Sequence, residues 1–225
     1  MQGARLRRFP FTGGGRNARP QAPAPVEAPV TERLPLFAEM IERAASGGRC
    51  VVLDFAPPSQ AGIALFNDMQ CRVDIVNFPQ ALASLKQASS AEDLIDRIGQ
   101  AMPHDPAHRP NVVLCWDFLN YLPRNVISVV MDQVALLCAP EAQVHALMAY
   151  TSTEMPAQPC RYTPAGRDAV QIRPKPKQMR ESPRMAPKEL ERCLPRYAID
   201  RVMMLRNGFQ EYILRVAERE PISTS

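Results

Sequence analysis

The chain has 225 residues, 46% of them hydrophobic, and its 27 Lys and Arg against 23 Asp and Glu give a net charge of +4. That length suits one well-buried core with appendages rather than two domains, and no apolar run is long enough for a membrane span, which sets aside a helical membrane protein. The charge excess is local, because residues 1–35 hold Arg5, Arg7, Arg8, Arg16, Arg19 and Arg33 against Glu27 and Glu32, and the rest of the chain is balanced.

The six cysteines lie far apart with no C-x-x-C pair, and four sit in apolar runs. This pattern reads as buried thiols of a reducing compartment rather than a disulfide frame or a zinc site. The arginine-rich start lacks the apolar stretch of a secretory signal, and its Pro and Gly residues oppose the amphipathic helix of a transit peptide, so a cytoplasmic location is expected.

Residues 1–30 carry Gly13-Gly14-Gly15 and Pro10, Pro20, Pro23, Pro25 and Pro29 with few large apolar groups. They are expected to form a disordered basic tail, since they bury too little surface to offset chain entropy. From Thr31 the spacing of Phe37, Met40, Ile41 and Ala44 predicts a helix, with Thr31 as N-cap, Pro35 in the first turn and Gly47-Gly48 as the stop. Cys50–Phe55 is a short apolar run typical of a strand covered on both faces. A helix is predicted over Ala61–Met69, a strand over Arg72–Asn77, helices over Pro79–Ala88 and Ala91–Met102, and a loop over 103–110. Val112–Trp116 reads as a further buried strand, Arg124–Cys138 as a helix and Val144–Tyr150 as a strand. Strands alternating with helices imply a parallel sheet with right-handed crossovers.

After Tyr150 the alternation stops. Residues 151–187 hold seven prolines and a basic excess, and read as a long excursion from the sheet, in which Arg161–Thr163 and Ala169–Ile172 are able to pair around Ala165-Gly166. A short helix over Pro187–Leu194 precedes two strands, Ala198–Leu205 and Phe209–Val216, joined through Asn207-Gly208. Asn-Gly between apolar runs signals a hairpin in which both turn residues take positive φ. Residues 218–225 are expected to be a flexible end to a domain spanning 31–217.

An α/β chain whose doubly wound, mostly parallel sheet ends in an antiparallel β-hairpin resembles the class I S-adenosylmethionine-dependent methyltransferases, a Rossmann-like fold whose last strand is inserted in reverse. NAD-binding Rossmann domains lack that reversed strand. The resemblance covers about residues 31–217 and implies S-adenosylmethionine as cofactor and an unidentified methyl acceptor as partner. In this family the first strand ends in an acid and a Gly-rich loop approaches the cofactor. Here Asp54-Phe55-Ala56-Pro57-Pro58-Ser59-Gln60-Ala61-Gly62 keeps the acid, while Ala56 and Pro57 stand where glycines are expected; proline fixes φ and removes a donor. The second strand's ribose-binding acid is replaced by Asn77, and no third strand is evident between Ser90 and Pro110.

The resemblance implies cofactor contacts from Asp54, Ala56, Pro57, Ser59, Gly62, Asn77 and Trp116. It places Asp117 and Tyr121, after the strand Val112–Trp116, where the acceptor would be oriented or deprotonated, a task of alignment more than of elaborate chemistry. The alternative is a catalytically inactive member of the fold acting as a binding module. Its basic tail and excursion would then meet a nucleic acid or an acidic partner.

Blander roles fit the same residues. Asp54 suits a structural cap, Asp117 and Asn120 suit the cap of the helix near Pro123, and Trp116 and His145 suit the core. His104 and His108 sit in a Pro-rich loop with no third ligand in view, so no metal is expected.

Overall fold

The computed structural model describes residues 28–102, 105–173 and 178–217. The expected tail up to residue 27, the end 218–225 and His104 lie outside the described residues. Six strands form the main sheet: β2 (Val51–Asp54), β3 (Arg72–Ile75), β4 (Val112–Trp116), β5 (Gln143–Ala149), β10 (Tyr197–Met204) and β11 (Phe209–Val216). Their order is β10-β11-β5-β4-β2-β3. The pairs β2/β3, β2/β4 and β4/β5 are parallel, while β11 runs antiparallel to both β5 and β10. The expected doubly wound, mostly parallel sheet ending in an antiparallel hairpin is therefore present, and β11 is its one reversed strand.

Helices cover both faces. On one side α3 (Phe78–Lys86), α4 (Ala91–Ala101), α5 (Arg124–Leu137) and α6 (Pro187–Cys193) pack Leu85, Ile98, Val130 and Leu190 against Leu53, Val113 and Leu214. On the other side α1 (Pro35–Ser46) and α2 (Gln60–Asp68) bring Phe37, Ile41 and Phe66 onto Val52, Leu114 and Ile213. Both faces of β2 and β4 are thus covered, which is why these strands read as unbroken apolar runs. Among the described residues no strand lies between Ser90 and Pro110, as the sequence reading had it, and β3 is the sheet's edge.

Four departures from the sequence reading have physical causes. Thr31 is not a helix cap: Val30–Arg33 form a strand, β1, paired antiparallel with β8 (Ala169–Arg173), residue Val30 opposite Ile172. The helix starts at Pro35, and its first amides are bound from afar, as Leu36 and Phe37 N–H donate to the Glu211 carboxylate on β11 at 3.2 and 2.7 Å. The second departure is the hairpin turn, where Gly208 alone takes positive φ, at 84°. Its N–H donates to Leu205 O, and the Asn207 side chain accepts from Phe209 N–H. Third, Cys50 and Cys71 are not free thiols but a disulfide, with Cα atoms 4.6 Å apart at the adjacent starts of β2 and β3. Fourth, the described residues of the excursion include four strands. β7 (Arg161–Pro164) and β8 make the anticipated hairpin, β1 extends it to three strands, and β6 (Glu154–Pro156) pairs with β9 (Met179–Glu181).

Candidate functional site

Open α/β sheets take ligands outside the carboxyl ends of their strands, at the point where strand order reverses. In this chain that point lies between β2 and β4. Asp54 ends β2 and is buried; its Oδ1 accepts from Ala56 N–H at 2.9 Å and from Trp116 Nε1–H at 2.7 Å. Burial pushes the Asp54 carboxyl up to about 6, against the pull of those two donors.

The loop after Asp54 offers little to a ligand. Phe55 N–H donates to Leu114 O, Ala56 N–H is held by Asp54, and Pro57 and Pro58 have no N–H. The Pro58 carbonyl accepts from Arg161 of β7 at 3.0 Å. Ser59 caps α2 by accepting from Gly62 N–H at 3.1 Å. A Cβ on Gly62 would lie 2.8 Å from Ser59 Oγ, so this glycine makes room for the cap, whereas Pro164 of β7 at 3.6 Å would be in ordinary contact. Asn77 stands at the start of α3, where its Nδ2 donates to Gln80 Oε1 at 3.0 Å.

One aromatic residue follows each of the three strands. Phe55, Phe78 and Phe118 are all buried, with ring centroids 4.3 Å apart for the first two and 4.8 Å for the last two. On the opposite face Trp116 stacks on Tyr162 of β7, 5.1 Å and 6° between rings, with Phe37 and His145 at its sides. Trp116 holds φ at 50°, where the pairing of β4 with β5 slips by one residue. A bulky residue in that region is strained by roughly 1–3 kcal/mol, and surrounding contacts must over-determine it; the stack and the bond to Asp54 do so.

Asp117 is 2% exposed. Its Oδ2 accepts from Cys160 N–H at 3.1 Å, and the Tyr121 hydroxyl oxygen lies 3.4 Å away. Burial pushes this carboxyl up to about 6, with the Cys160 and Tyr162 side chains opposing. The same burial, with Asp117 beside them, pushes the Tyr121 phenol and the Cys160 thiol up, so neither is an ionised nucleophile. Tyr121 donates to Gln158 O at 2.8 Å, and Arg180 lies over its ring at 5.3 Å while bonding Asn120 O. Asn120 is a structural bracket: its Nδ2 donates to Asp117 O and Leu147 O, and its Oδ1 accepts from Ala149 N–H.

The structure thus gathers Asp54, Ala56, Pro57, Ser59, Gly62 and Trp116 around the end of β2, with Asp117 and Tyr121 beyond β4. Asn77 stands at the next strand end with its amide turned to Gln80. Sequence reasoning missed Cys160 and Arg161, which reach the site through the excursion. It also missed the fully buried His145–Glu211 pair, 3.0 Å apart, which anchors α1. The signal for Glu211 was available: it alternates with Phe209 and Ile213 on an inward face. Among the described residues no cluster of His, Cys, Asp and Glu is suited to a metal ion, and no helix is long and apolar enough to cross a membrane.

No protein-family model matches the chain, and no curated protein matches it. Solved structures similar to it include the glycopeptide N-methyltransferase MtfA complexed with S-adenosylmethionine, at 17% identity over 81% of this chain and 94% of that one, TM-score 0.41. The N-methyltransferase NodS from Bradyrhizobium japonicum WM9 is 10% identical over 81% of this chain and 95% of its own, TM-score 0.45. The 1,6-didemethyltoxoflavin-N1-methyltransferase from Burkholderia thailandensis, with 1,6-didemethyltoxoflavin and S-adenosylhomocysteine bound, is 16% identical over 80% of this chain and 77% of its own, TM-score 0.44. With its strand order and single reversed strand, this chain has a class I methyltransferase-like fold.

Proposed function

We propose that this chain is a methyltransferase-fold binding protein whose cofactor crevice is held closed by its own side chains. The observation that carries this reading is the packing at the carboxyl ends of β2, β3 and β4. Phe55, Phe78 and Phe118 fill one side and the Trp116–Tyr162 stack fills the other.

S-adenosylmethionine is the cofactor that the fold implies, and its fit can be tested against these residues. A glycine-rich loop holds a charged ligand by presenting free backbone N–H groups and by allowing close approach. From Phe55 to Pro58 no amide is free and the Pro58 carbonyl is engaged by Arg161. At the ribose position Asn77 supplies no charge-assisted bond. In the closed arrangement these residues do not accommodate the cofactor.

A second reading, methyl transfer from S-adenosylmethionine to an unidentified acceptor, is favoured by one observation. Asp54, Asn77 and Asp117 still stand at or just past the ends of β2, β3 and β4 around the switch point, with Ser59 at the start of α2. It requires β7 to withdraw, removing Tyr162 from Trp116 and Arg161 from Pro58.

Calorimetric titration and thermal shift of the full chain with S-adenosylmethionine and with S-adenosylhomocysteine separate the two readings. Ligands that bind only the folded state raise its stability by mass action. The closed reading expects no heat and no shift at millimolar ligand. Saturable binding that Asp54→Ala abolishes would replace it with the second.

A further inference from the structure

Where the three-stranded sheet of β1, β7 and β8 stands off β5 and β11, a cavity of about 220 Å³ remains. That is about seven waters' worth of liquid volume. Leu147, Ile172, Phe209 and Tyr162 supply apolar walls, and Asp117 and Cys160 supply polar atoms. Glu32, half-buried, also borders it and is bonded by Asn207.

Asp117 is the anomaly. A carboxylate taken out of water is costly unless a cation or several good hydrogen bonds compensate it. Its neighbours are neutral: the Cys160 amide, the Tyr121 hydroxyl at 3.4 Å, and the Cys160 and Tyr162 side chains. Among the described residues Asp117 takes part in no ion pair. Arg180, which lies over the Tyr121 ring, is committed to that ring and to Asn120 O. Among the described residues no basic side chain lines the cavity, whereas two acids do.

We infer that this cavity binds a small amine with an apolar body, its ammonium group on the Asp117 carboxylate and its body between Ile172, Phe209 and Tyr162. The ligand brings the counter-charge that the fold withholds. An anion would face two carboxyl groups with no cation, and a purely apolar guest would leave Asp117 as uncompensated as before. Aromatic walls beside an acid suit a cation further, because ring faces attract positive charge. The inference goes beyond the closed-crevice reading and does not depend on it, since the cavity lies under the small sheet and its probe is not the cofactor.

The test uses the full chain and three probes of one shape: benzylamine, benzyl alcohol and benzoate, titrated by calorimetry and ligand-observed NMR near neutral pH. Benzylamine is expected to bind at least about tenfold more tightly than benzyl alcohol, and benzoate not at all, as a charge-assisted bond requires. Asp117→Asn keeps an oxygen for the Cys160 amide and should remove that preference while leaving benzyl alcohol unchanged. Ile172→Trp should fill the space and abolish both. Equal binding of amine and alcohol to the wild-type protein, absence of amine binding, or an unchanged preference in Asp117→Asn would each overturn the inference.

Discussion

At Asp54 and Asp117 burial lifts the carboxyl from its ordinary 3.8 to about 6. A carboxyl that holds its proton more tightly folded than unfolded adds stability below the lower value and loses it as pH climbs through the upper one. Folding stability is therefore expected to fall between about pH 4 and about pH 6, by up to about 3 kcal/mol for each group. Asp54→Asn retains an oxygen for Trp116 Nε1–H and Ala56 N–H. It should raise the urea midpoint at about pH 8 and leave it unchanged at about pH 3.5; equal shifts at both would refute the assignment. Gly208 illustrates the opposite dependence, on backbone alone. Its φ is 84° and an added Cβ would lie 2.9 Å from Ser152 N, so Gly208→Ala is expected to cost about 1–3 kcal/mol in chemical denaturation. The site acids were legible at this scale because each ends an apolar run. Their commitments were not, because Trp116, Cys160 and Arg161 reach them through pairings distant in sequence.

At the scale of elements, β7 is the piece that closes the crevice. Tyr162→Ala would remove a buried ring from Trp116 and should cost about 3–5 kcal/mol. Trp116 is the chain's single tryptophan, so its emission should shift to the red in that variant; an unshifted spectrum would mean the indole stays buried without the stack. The first helix depends on β11 in the same way. In Glu211→Leu the amides of Leu36 and Phe37 lose their acceptor, and hydrogen exchange there should accelerate more than in α5; uniform acceleration would deny the local role. The boundaries of β4 and β11 were readable to the residue because their apolar runs are bounded by turns. Strand β1 was not, since its four residues VTER owe their extended form to β8, about 140 positions away in the chain. Local pattern names an element when its own residues decide its shape, and fails when a remote partner does.

The mostly parallel sheet and its antiparallel end followed from alternation plus one turn, and no third strand was evident between Ser90 and Pro110. The disulfide was hidden by reading cysteine spacing alone. It becomes predictable once β2 and β3 are set side by side in a right-handed crossover, because Cys50 and Cys71 each immediately precede their strand. Closing a loop of that length contributes about 3 kcal/mol in the chain-entropy picture, so Cys50→Ser should lower stability by that order under non-reducing conditions. A reductant should then make no further difference to the variant, and continued sensitivity would place the effect elsewhere. The same bond also divides the molecule mechanically. Pulled from its two ends, the oxidised chain keeps β2 and α2 inside a covalent ring of 21 peptide steps, so about 70 Å of contour never comes under load. The segment carrying Asp54 and its proline loop is thereby the one stretch of the sheet that force on the termini cannot extend.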